Sequence, residues 1–242
     1  MSLLQDLPLH KQLFKALDKL AFTEATEVQA RAIPAALAGK DVMVSAKTGS
    51  GKTAAFVLPM LDRLLATDAP GSGTRALILL PTRELALQTA KMFAKLARFT
   101  HIKCGLIIGG ESFKYQIATI RKNPEALIAT PGRLVEHIEK GTTDFNDLEL
   151  FVLDEADRML DMGFAEDMQL IAAACKKQRQ NLLFSATLKH KGMHHIREIL
   201  NAPESIEIDS FKEGHSNIIQ QKVLADDTAH KQKLVVALIR EE

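Results

Sequence analysis

The chain has 242 residues, which predicts one large domain or one domain with part of another, since a domain commonly takes about 150 residues. Charged residues make up 25% and hydrophobic residues 46%, which excludes disordered and collagen-like classes. The 31 basic and 30 acidic side chains nearly cancel, and aromatic residues are only 5%. Overall charge and composition therefore indicate neither a strongly basic surface nor one built from many base-stacking rings.

The cysteines, histidines and apolar runs exclude several other classes. Two cysteines are too few for a disulfide scaffold or a cysteine-rich zinc site, and we expect Cys104 and Cys175 to be buried, reduced thiols. The pair His194-His195 has no nearby Cys or third His, so we interpret it as a solvated helix face. No apolar run reaches the roughly 18 residues of a membrane helix, and residues 1–10 lack the regions of a secretory signal. We expect a cytoplasmic protein without a membrane partner.

Seven short apolar runs alternate with segments of helical spacing. Most runs carry Leu, Ile and Val at successive positions, which is typical of strands covered on both faces. The alternation predicts an α/β fold with a mostly parallel sheet and helices on both faces. The predicted strands are Asp41–Ala46, Ala76–Leu80, Cys104–Ile108, Ala126–Ala129, Leu150–Leu153, Asn181–Ser185 and Ser205–Ile208. The clearest predicted helices are Glu84–Leu96, Arg133–Lys140, Ala165–Lys176 and Thr228–Arg240.

Two polar stretches interrupt this pattern. Residues 67–74 (TDAPGSGT) have the composition of an exposed loop, and residues 209–217 (DSFKEGHSN) that of a linker. We therefore predict a first domain over residues 1–208, a linker over 209–217 and the beginning of a second domain over 218–242. The last helical segment has no Gly or Asn cap, so we expect the chain to stop just inside that second unit.

A glycine-rich loop follows the first predicted strand and precedes a helix that begins near Lys52. Glycine lets backbone N–H groups wrap a phosphate, and the helix N-terminus adds the positive end of a dipole. Lys52 is suited to the outer phosphates of a nucleotide, and the Thr53 hydroxyl to magnesium. The alternative is an ordinary glycine turn. The predicted phosphate-binding residues are Lys47, Thr48, Gly49, Ser50, Gly51, Lys52 and Thr53.

Two acids follow the predicted strand Leu150–Leu153 at its carboxyl end, where open α/β sheets bind their ligands. Asp154 is suited to the magnesium shell, and Glu155 to polarising an attacking water. Taken alone, Asp154 is equally suited to cap the next helix. Together with the phosphate loop, the two acids predict a catalytic site for magnesium and a triphosphate that contains Lys52, Asp154 and Glu155.

Five short motifs occur in a defined order along the chain. They are Pro-Thr-Arg-Glu-Leu-Ala at 81–86, Gly-Gly at 109–110, Thr-Pro-Gly-Arg at 130–133, Asp-Glu-Ala-Asp at 154–157 and Ser-Ala-Thr at 185–187. In this order they closely resemble the first RecA-like domain of the DEAD-box RNA helicases, and the resemblance covers nearly the whole chain. It implies a RecA-like fold and the ATP-binding lobe of an RNA-stimulated ATPase that separates short RNA duplexes, with ATP and Mg²⁺ as cofactors.

The resemblance assigns Phe22 and Gln29 to adenine recognition. The Gln29 amide has a donor and an acceptor for an adenine edge, and the Phe22 ring is suited to pack on the base. Taken alone, Gln29 would be a solvated helix residue. The family usually has Gly before this aromatic residue, Pro before the following Thr and an aromatic residue further upstream. This chain has Ala21, Ala25 and Leu4 at those positions.

Three of the motifs follow predicted strand ends and, by resemblance, hold the RNA sugar–phosphate backbone. Glycines let main-chain N–H groups approach phosphate, while hydroxyls and arginines add donors and charge, so binding would not depend on base sequence. The alternative for each segment is an ordinary helix start, and for Arg83 a role in holding its loop together. The implied RNA-binding residues are Pro81, Thr82, Arg83, Gly109, Gly110, Thr130, Gly132 and Arg133.

The remaining motif concerns communication between nucleotide and RNA. Ser185 and Thr187, together with Asp157, resemble the family's coupling elements, and the alternative is an ordinary helix cap. The arginine-containing strings of the family's second RecA-like domain do not occur in this chain, so that domain is an implied partner, as is RNA. Two other functions stay open at this point: a different P-loop motor such as a DNA translocase, and a nucleotide-gated RNA clamp without unwinding activity.

Overall fold

The computed structural model describes residues 3–67, 73–208 and 223–240. The chain divides into two compact units, Met1–Asp209 and Ser210–Glu242. Part of the predicted loop, residues 68–72, and the whole predicted linker, residues 209–217, lie outside the described residues.

One parallel sheet forms the centre of the first unit. Its strands are β1 (Val42–Ser45), β2 (Ala76–Leu79), β3 (Cys104–Ile107), β4 (Ala126–Ala129), β5 (Leu150–Leu153), β6 (Gln180–Ser185) and β7 (Glu204–Glu207). Their order across the sheet is β3-β4-β2-β5-β6-β1-β7, and every neighbouring pair is parallel. All seven predicted strands are confirmed to within one residue at each end.

Helices occupy the connections between the strands. In the first unit a short 3₁₀ helix (Leu4–Asp6) precedes α1 (Lys11–Lys19), α2 (Glu27–Leu37), α3 (Lys52–Ala66), α4 (Arg83–Leu96), α5 (Phe113–Ile120), α6 (Pro131–Glu139), α7 (Ala156–Asp161), α8 (Ala165–Ala174) and α9 (Met193–Arg197). The described helix of the second unit is α10 (Thr228–Arg240). The four predicted helices are confirmed, although α6 begins two residues early because Pro131 fits the first helical turn.

The two faces of the sheet pack into two separate cores. Val42 and Val44 of β1 join a core that includes residues of α1 to α4, whereas Met43 between them joins a core with residues of α6 to α9. Successive side chains of a strand point to opposite faces of the sheet. A strand that is apolar at every position must therefore be covered by other residues on both faces. The predicted α/β fold with helices on both faces is confirmed.

Parallel pairing also places the motifs. Because all seven strands run in one direction, the segments that follow them meet at a single edge of the sheet, which is where ligands bind in such folds. None of the described helices has the length and apolar character needed to cross a bilayer. Cys175 is buried as expected, but Cys104 is only half-buried because it lies on the edge strand β3.

Candidate active site

A cleft of about 700 Å³ opens at the carboxyl edge of the sheet. Its wall contains five phosphate-loop residues, both predicted acids and the predicted adenine segment, so the fold brings together groups that are far apart in the sequence. A cleft of this volume is large enough for a nucleotide-sized ligand. The predicted residues in the wall are Phe22, Gln29, Thr48, Gly49, Gly51, Lys52, Thr53, Asp154 and Glu155.

The phosphate loop has the backbone shape that its glycines allow. Gly49 and Gly51 have φ values of +82° and +93°, a region that glycine enters without steric cost. A side chain at Gly51 would overlap Gln29 and crowd Thr26. The Ser50 hydroxyl is buried without a hydrogen-bond partner among the described residues, and such orphaned groups are rare. Close backbone packing and an unused hydroxyl fit a loop that closes around an anion.

Lys52 begins α3, and its side chain is only 5% exposed. Its ammonium lies 3.0 Å from Glu155 Oε1 and donates to the Ala46 carbonyl, also at 3.0 Å. The cation is therefore paired with the predicted catalytic acid in this structure. Thr53 follows in the cleft wall, whereas Lys47 is exposed and lies outside the wall.

The two acids occupy different environments. Glu155 precedes α7 with φ +53° and ψ +47°, a left-handed conformation that costs a non-glycine residue about 1–2 kcal/mol. Asp154 is not the helix cap, because Glu155 is, and its Oδ1 accepts the Glu155 N–H at 3.0 Å. Burial raises the pKa of Asp154 to about 7, although the nearby Lys52 ammonium lowers it. Backbone strain and a buried carboxylate with a raised pKa are features typical of functional sites.

The oxygen groups of the cleft fit magnesium. Asp154 offers a carboxylate and Thr53 a hydroxyl, the hard oxygen ligands that Mg²⁺ prefers. The described residues hold no cluster of three or more His, Cys, Asp or Glu side chains. Magnesium usually takes only one or two carboxylates and completes its shell with substrate phosphates and water, so such a cluster is not required.

The coupling residues join the ends of β5 and β6. The Ser185 hydroxyl accepts the Asp157 N–H at 3.3 Å and donates to the Thr187 carbonyl at 2.7 Å. The Asp157 carboxylate accepts the Thr187 N–H at 3.1 Å. The Thr187 hydroxyl instead accepts the Lys189 N–H within the loop, and the next helix, α9, has Gly192 at its cap position, so Thr187 does not take the capping role that was the alternative. Thr187 contacts the acid through its main chain.

Gln29 connects the adenine segment to the phosphate loop. Thr26 and Gln29 form a capping box at the start of α2, in which the Thr26 N–H donates to Gln29 Oε1 at 3.0 Å. Gln29 Nε2 donates to the Gly51 carbonyl at 3.2 Å. The side chain is buried rather than solvated. Its oxygen and nitrogen each have capacity for one more bond, which is what an adenine edge requires.

The segment before Gln29 shows why the family usually has glycine at the position that Ala21 occupies in this chain. Helix α1 ends in a Schellman motif, in which the Phe22 N–H donates to the Leu17 carbonyl and the Ala21 N–H to the Asp18 carbonyl. Ala21 is the left-handed residue of this motif at φ +54°, a position that favours glycine. Phe22 is half-buried in the cleft wall. Leu4, aligned with the upstream aromatic residue, is buried in the core and provides no ring for the cleft.

The predicted RNA segments lie beside the cleft, after β2, β3 and β4. Thr82 caps α4 by accepting the Leu85 N–H at 3.3 Å, so the helix-start role is present. Arg83 is exposed, and its guanidinium lies so close to Gly110, at φ +75°, that a side chain there would overlap it. This position of Arg83 fits binding to the RNA backbone and equally a role in holding the loop together. Pro81 and Thr130 are buried, and Gly109 and Gly132 are half-buried.

Arg133 is held by the protein rather than presented to solvent. Its Nη1 donates to the Glu111 carbonyl at 2.8 Å and to Gln116 Oε1 at 3.2 Å, and its Nε lies 3.2 Å from the Glu136 carboxylate. Of the two arginines expected to supply charge to RNA, only Arg83 is exposed. Arg133 instead joins the segment after β4 to the loop after β3.

Motif order and geometry agree with a single family. A family model described as DEAD/DEAH box helicase matches residues 26–196, which is most of the chain. The chain belongs to the DEAD/DEAH box helicase family.

Relatives within the DEAD/DEAH box family are similar over most of this chain. It is 46% identical over 220 residues to a probable ATP-dependent RNA helicase ddx27 of Dictyostelium discoideum, covering 90% of this chain and 28% of the relative. It is 47% identical over 210 residues to the ATP-dependent RNA helicase drs1 of Schizosaccharomyces pombe, covering 86% and 28%. The chain thus spans just over a quarter of the length of these relatives.

Two solved structures share the fold. A DEAD box protein from Methanococcus jannaschii superposes with a TM-score of 0.79 at 34% identity, over 85% of this chain and 55% of that one. A hypothetical ATP-dependent RNA helicase from Sulfolobus tokodaii gives a TM-score of 0.75 at 36% identity, over 83% of this chain and 57% of that one. The RecA-like fold implied by the sequence is confirmed.

One wall of the DEAD-box cleft was missed by sequence reasoning. Helix α4 contributes Leu85, Gln88, Thr89 and Met92, which follow the spacing of one helix face. The spacing was a usable signal for a helix, but it does not reveal whether the face lines a core or a cleft. Thr26, in the Thr-x-x-Gln pattern of a capping box, was a second available signal.

Proposed function

We propose that this chain is the ATP-binding lobe of an ATP-dependent RNA helicase that hydrolyses ATP in response to RNA and separates short duplexes. The observation that carries the proposal is the single cleft in which Lys52, Thr53, Asp154 and Glu155 meet, beside three loops suited to a phosphate backbone. In this proposal residues 1–208 form the first RecA-like domain, 209–217 a linker and 218–242 the beginning of the second.

The Lys52–Glu155 pair suggests how nucleotide binding and catalysis are linked. In this structure the two charges compensate each other at 3.0 Å. A triphosphate competes for the Lys52 ammonium, which releases the Glu155 carboxylate to accept a proton from water. The base then becomes available only when the substrate is present. Main-chain N–H groups of the 47–51 loop hold the phosphates, while Phe22 and Gln29 hold the adenine.

The remaining cleft residues have supporting roles. Thr53 and Asp154 would hold magnesium, which when bound neutralises charge on the phosphates. A bound cation also favours the ionised form of Asp154, whose pKa is raised by burial. Asp157, Ser185 and Thr187 connect the acids to β6 and are proposed to transmit the nucleotide state.

The RNA-facing loops are suited to contacts that do not read bases. Arg83 provides an exposed charge, and nothing crowds the main chain at Gly109, so phosphate can approach its N–H. We propose sequence-independent RNA binding across the ends of β2, β3 and β4, completed by the second RecA-like domain.

Calorimetric titration with ATP and magnesium tests the nucleotide site in residues 1–242. Lys52→Ala should weaken ATP binding at least about tenfold, because a hydrogen bond to a charged group contributes ~1.5–3 kcal/mol. Lys95→Ala, at an exposed position of α4, is the matched control and should bind normally. Unchanged affinity in folded Lys52→Ala would overturn the assignment.

Steady-state hydrolysis by a protein with both RecA-like domains tests the chemistry. Glu155→Gln should keep ATP binding and suppress turnover, since an amide cannot accept the proton. Stimulation by RNA but not DNA would support a helicase over a DNA translocase. Residues 1–242 alone should show little RNA-stimulated turnover, because charge stabilisation by arginines of the second domain contributes about 10³–10⁵ in rate.

A further inference from the structure

Gln116 is a buried amide that joins three segments on the proposed RNA side of the sheet. It lies on α5 and is 2% exposed. Its Nε2 donates to the Ile108 carbonyl at 2.7 Å, and its Oε1 accepts from Arg133 Nη1 at 3.2 Å. The same oxygen lies 3.0 Å from Nε2 of His137, a fully buried residue of α6. One side chain therefore connects the end of β3, helix α5 and helix α6.

The chemistry of these groups fixes the orientation of the Gln116 amide. The Ile108 carbonyl can only accept, so it fixes the nitrogen of Gln116 toward itself and the oxygen toward Arg133 and His137. His137 Nε2 must then carry the proton. Burial, and secondly Arg133, lowers the pKa of His137, so the ring is neutral, and the single proton of the Thr142 hydroxyl has two acceptors, Nδ1 at 2.8 Å and the His137 carbonyl at 3.0 Å.

Packing holds the histidine ring in this orientation. His137 stacks on Phe113 with ring centroids 4.0 Å apart and planes 9° from parallel. Since Phe113 is the first residue of α5, the stack joins the start of α5 to α6. His137 thus cannot rotate away from Gln116 without losing both the stack and its hydrogen bonds.

We propose that Gln116 and His137 are positioning residues that hold the loop 109–111 in the conformation that binds the RNA backbone. This inference rests on the proposed function. Gln116 fixes the loop at its start, through the Ile108 carbonyl, and it orients Arg133, whose Nη1 fixes Glu111 at 2.8 Å. Both Gln116 and His137 are buried, so they act through the loop rather than on RNA directly.

The loop needs such support because of its composition. It begins with Gly109 and Gly110, and glycine has more conformations to lose than any other residue. A loop that is ordered before RNA arrives does not lose this freedom on binding, which increases affinity without adding a contact to RNA.

Two variants and one matched control test the proposal in residues 1–242. Gln116→Leu removes all three bonds at similar volume, and His137→Phe keeps a stacked ring but loses the bond to Gln116. Gln180→Leu is the control, because Gln180 is also a buried amide that donates to carbonyls, of Ala36 and Lys40, but at the opposite edge of the sheet.

Three measurements separate positioning from general stability: anisotropy with labelled single-stranded oligouridine, calorimetry with ADP, and hydrogen exchange of the amides at 109–111. Gln116→Leu should weaken RNA binding about tenfold, accelerate exchange in the loop and leave ADP affinity unchanged. His137→Phe should show the same changes at smaller size. Gln180→Leu should lower stability while RNA affinity and loop exchange stay at wild-type values.

The outcomes are distinguishable. Wild-type RNA affinity in folded Gln116→Leu and His137→Phe would overturn the proposal, as would weakened RNA binding with unchanged exchange at 109–111. If Gln116→Leu does not fold, His137→Phe decides by the same measurements. If a protein with both RecA-like domains binds no oligouridine, the proposed function fails, whereas the exchange rates in residues 1–242 still decide whether Gln116 and His137 order the loop.

Discussion

Two buried aspartates lie at opposite edges of the same sheet. Asp41 precedes β1 and is 7% exposed, and its carboxylate accepts the Asn181 N–H at 2.7 Å, Asn181 Nδ2 at 2.8 Å and the Asn201 N–H at 2.7 Å. Asp154 follows β5 and is 5% exposed, and within the described residues it accepts one bond, from the Glu155 N–H at 3.0 Å. One acid is surrounded by donors, and the other keeps unused lone pairs.

The difference fits a structural role for Asp41 and the magnesium-binding role that we propose for Asp154. The donors around Asp41 compensate for its burial and tie β1 to β6 and to the segment before β7, so this acid stabilises the sheet. Asp154 lies beside the Glu155 carboxylate, and its pKa is raised to about 7 by burial. A site that must bind a cation keeps this unfavourable arrangement because the ligand compensates for it.

The largest expected effect tests the structural acid. Asp41→Ala leaves two buried N–H groups of Asn181 and the more exposed Asn201 N–H without an acceptor, and each buried group costs about 1–3 kcal/mol, so we expect unfolding to become at least about 2 kcal/mol easier. Urea unfolding measures the change. The exposed Asp18→Ala is the control and should stay within about 0.5 kcal/mol. A loss below about 1 kcal/mol for Asp41→Ala would end the distinction between the two acids.

Asp154→Asn should have the opposite effect. Removing a buried charge should leave the free energy of unfolding unchanged or higher, while magnesium should lose its effect on ATP binding by at least about tenfold. Calorimetry with and without magnesium measures the second part. A clear destabilisation together with normal magnesium dependence would show that Asp154 is structural like Asp41.

The pH dependence of the free energy of unfolding tests whether the pKa of Asp154 is raised in the folded protein. The folded pKa of Asp154 is about 7 against an ordinary 3.8, so between these values the folded state binds the proton and the unfolded state does not. This contribution to stability is complete below about pH 4 and is lost as pH rises to about 7, at no more than about 1.4 kcal/mol per pH unit. Wild-type stability should therefore fall relative to Asp154→Asn over this window. Parallel pH profiles would contradict the raised pKa.

The smallest effect concerns backbone strain at the cleft. Ala21→Gly should raise the free energy of unfolding by roughly 0.5–1 kcal/mol, because glycine adopts φ +54° without steric cost but loses more freedom on folding. Ala38 also ends a helix, at φ −71°, so Ala38→Gly should not stabilise the protein. Equal effects of the two substitutions in thermal unfolding would remove strain as the explanation.

Local sequence patterns determined the framework of this protein. Apolar runs gave all seven strands because residues buried on both faces must be apolar at every position. The phosphate loop and the two acids were predicted at strand ends because each directly follows one of these apolar runs in the sequence. Helices α1, α2 and α5 lie outside the predicted set, and α2 carries an interior Pro34, a residue that usually ends a helix.

Only the tertiary structure decided which of these residues contact each other and which buried charges have partners. The Lys52–Glu155 pair, the contact of Gln29 with Gly51 and the link from Gln116 to Arg133 all join segments far apart in the chain. Such contacts depend on the order of strands across the sheet, which no local pattern encodes. The sequence therefore predicted two carboxylates at β5, whereas only burial and the surrounding donors distinguish Asp154, which keeps unused lone pairs, from Asp41, which is surrounded by donors.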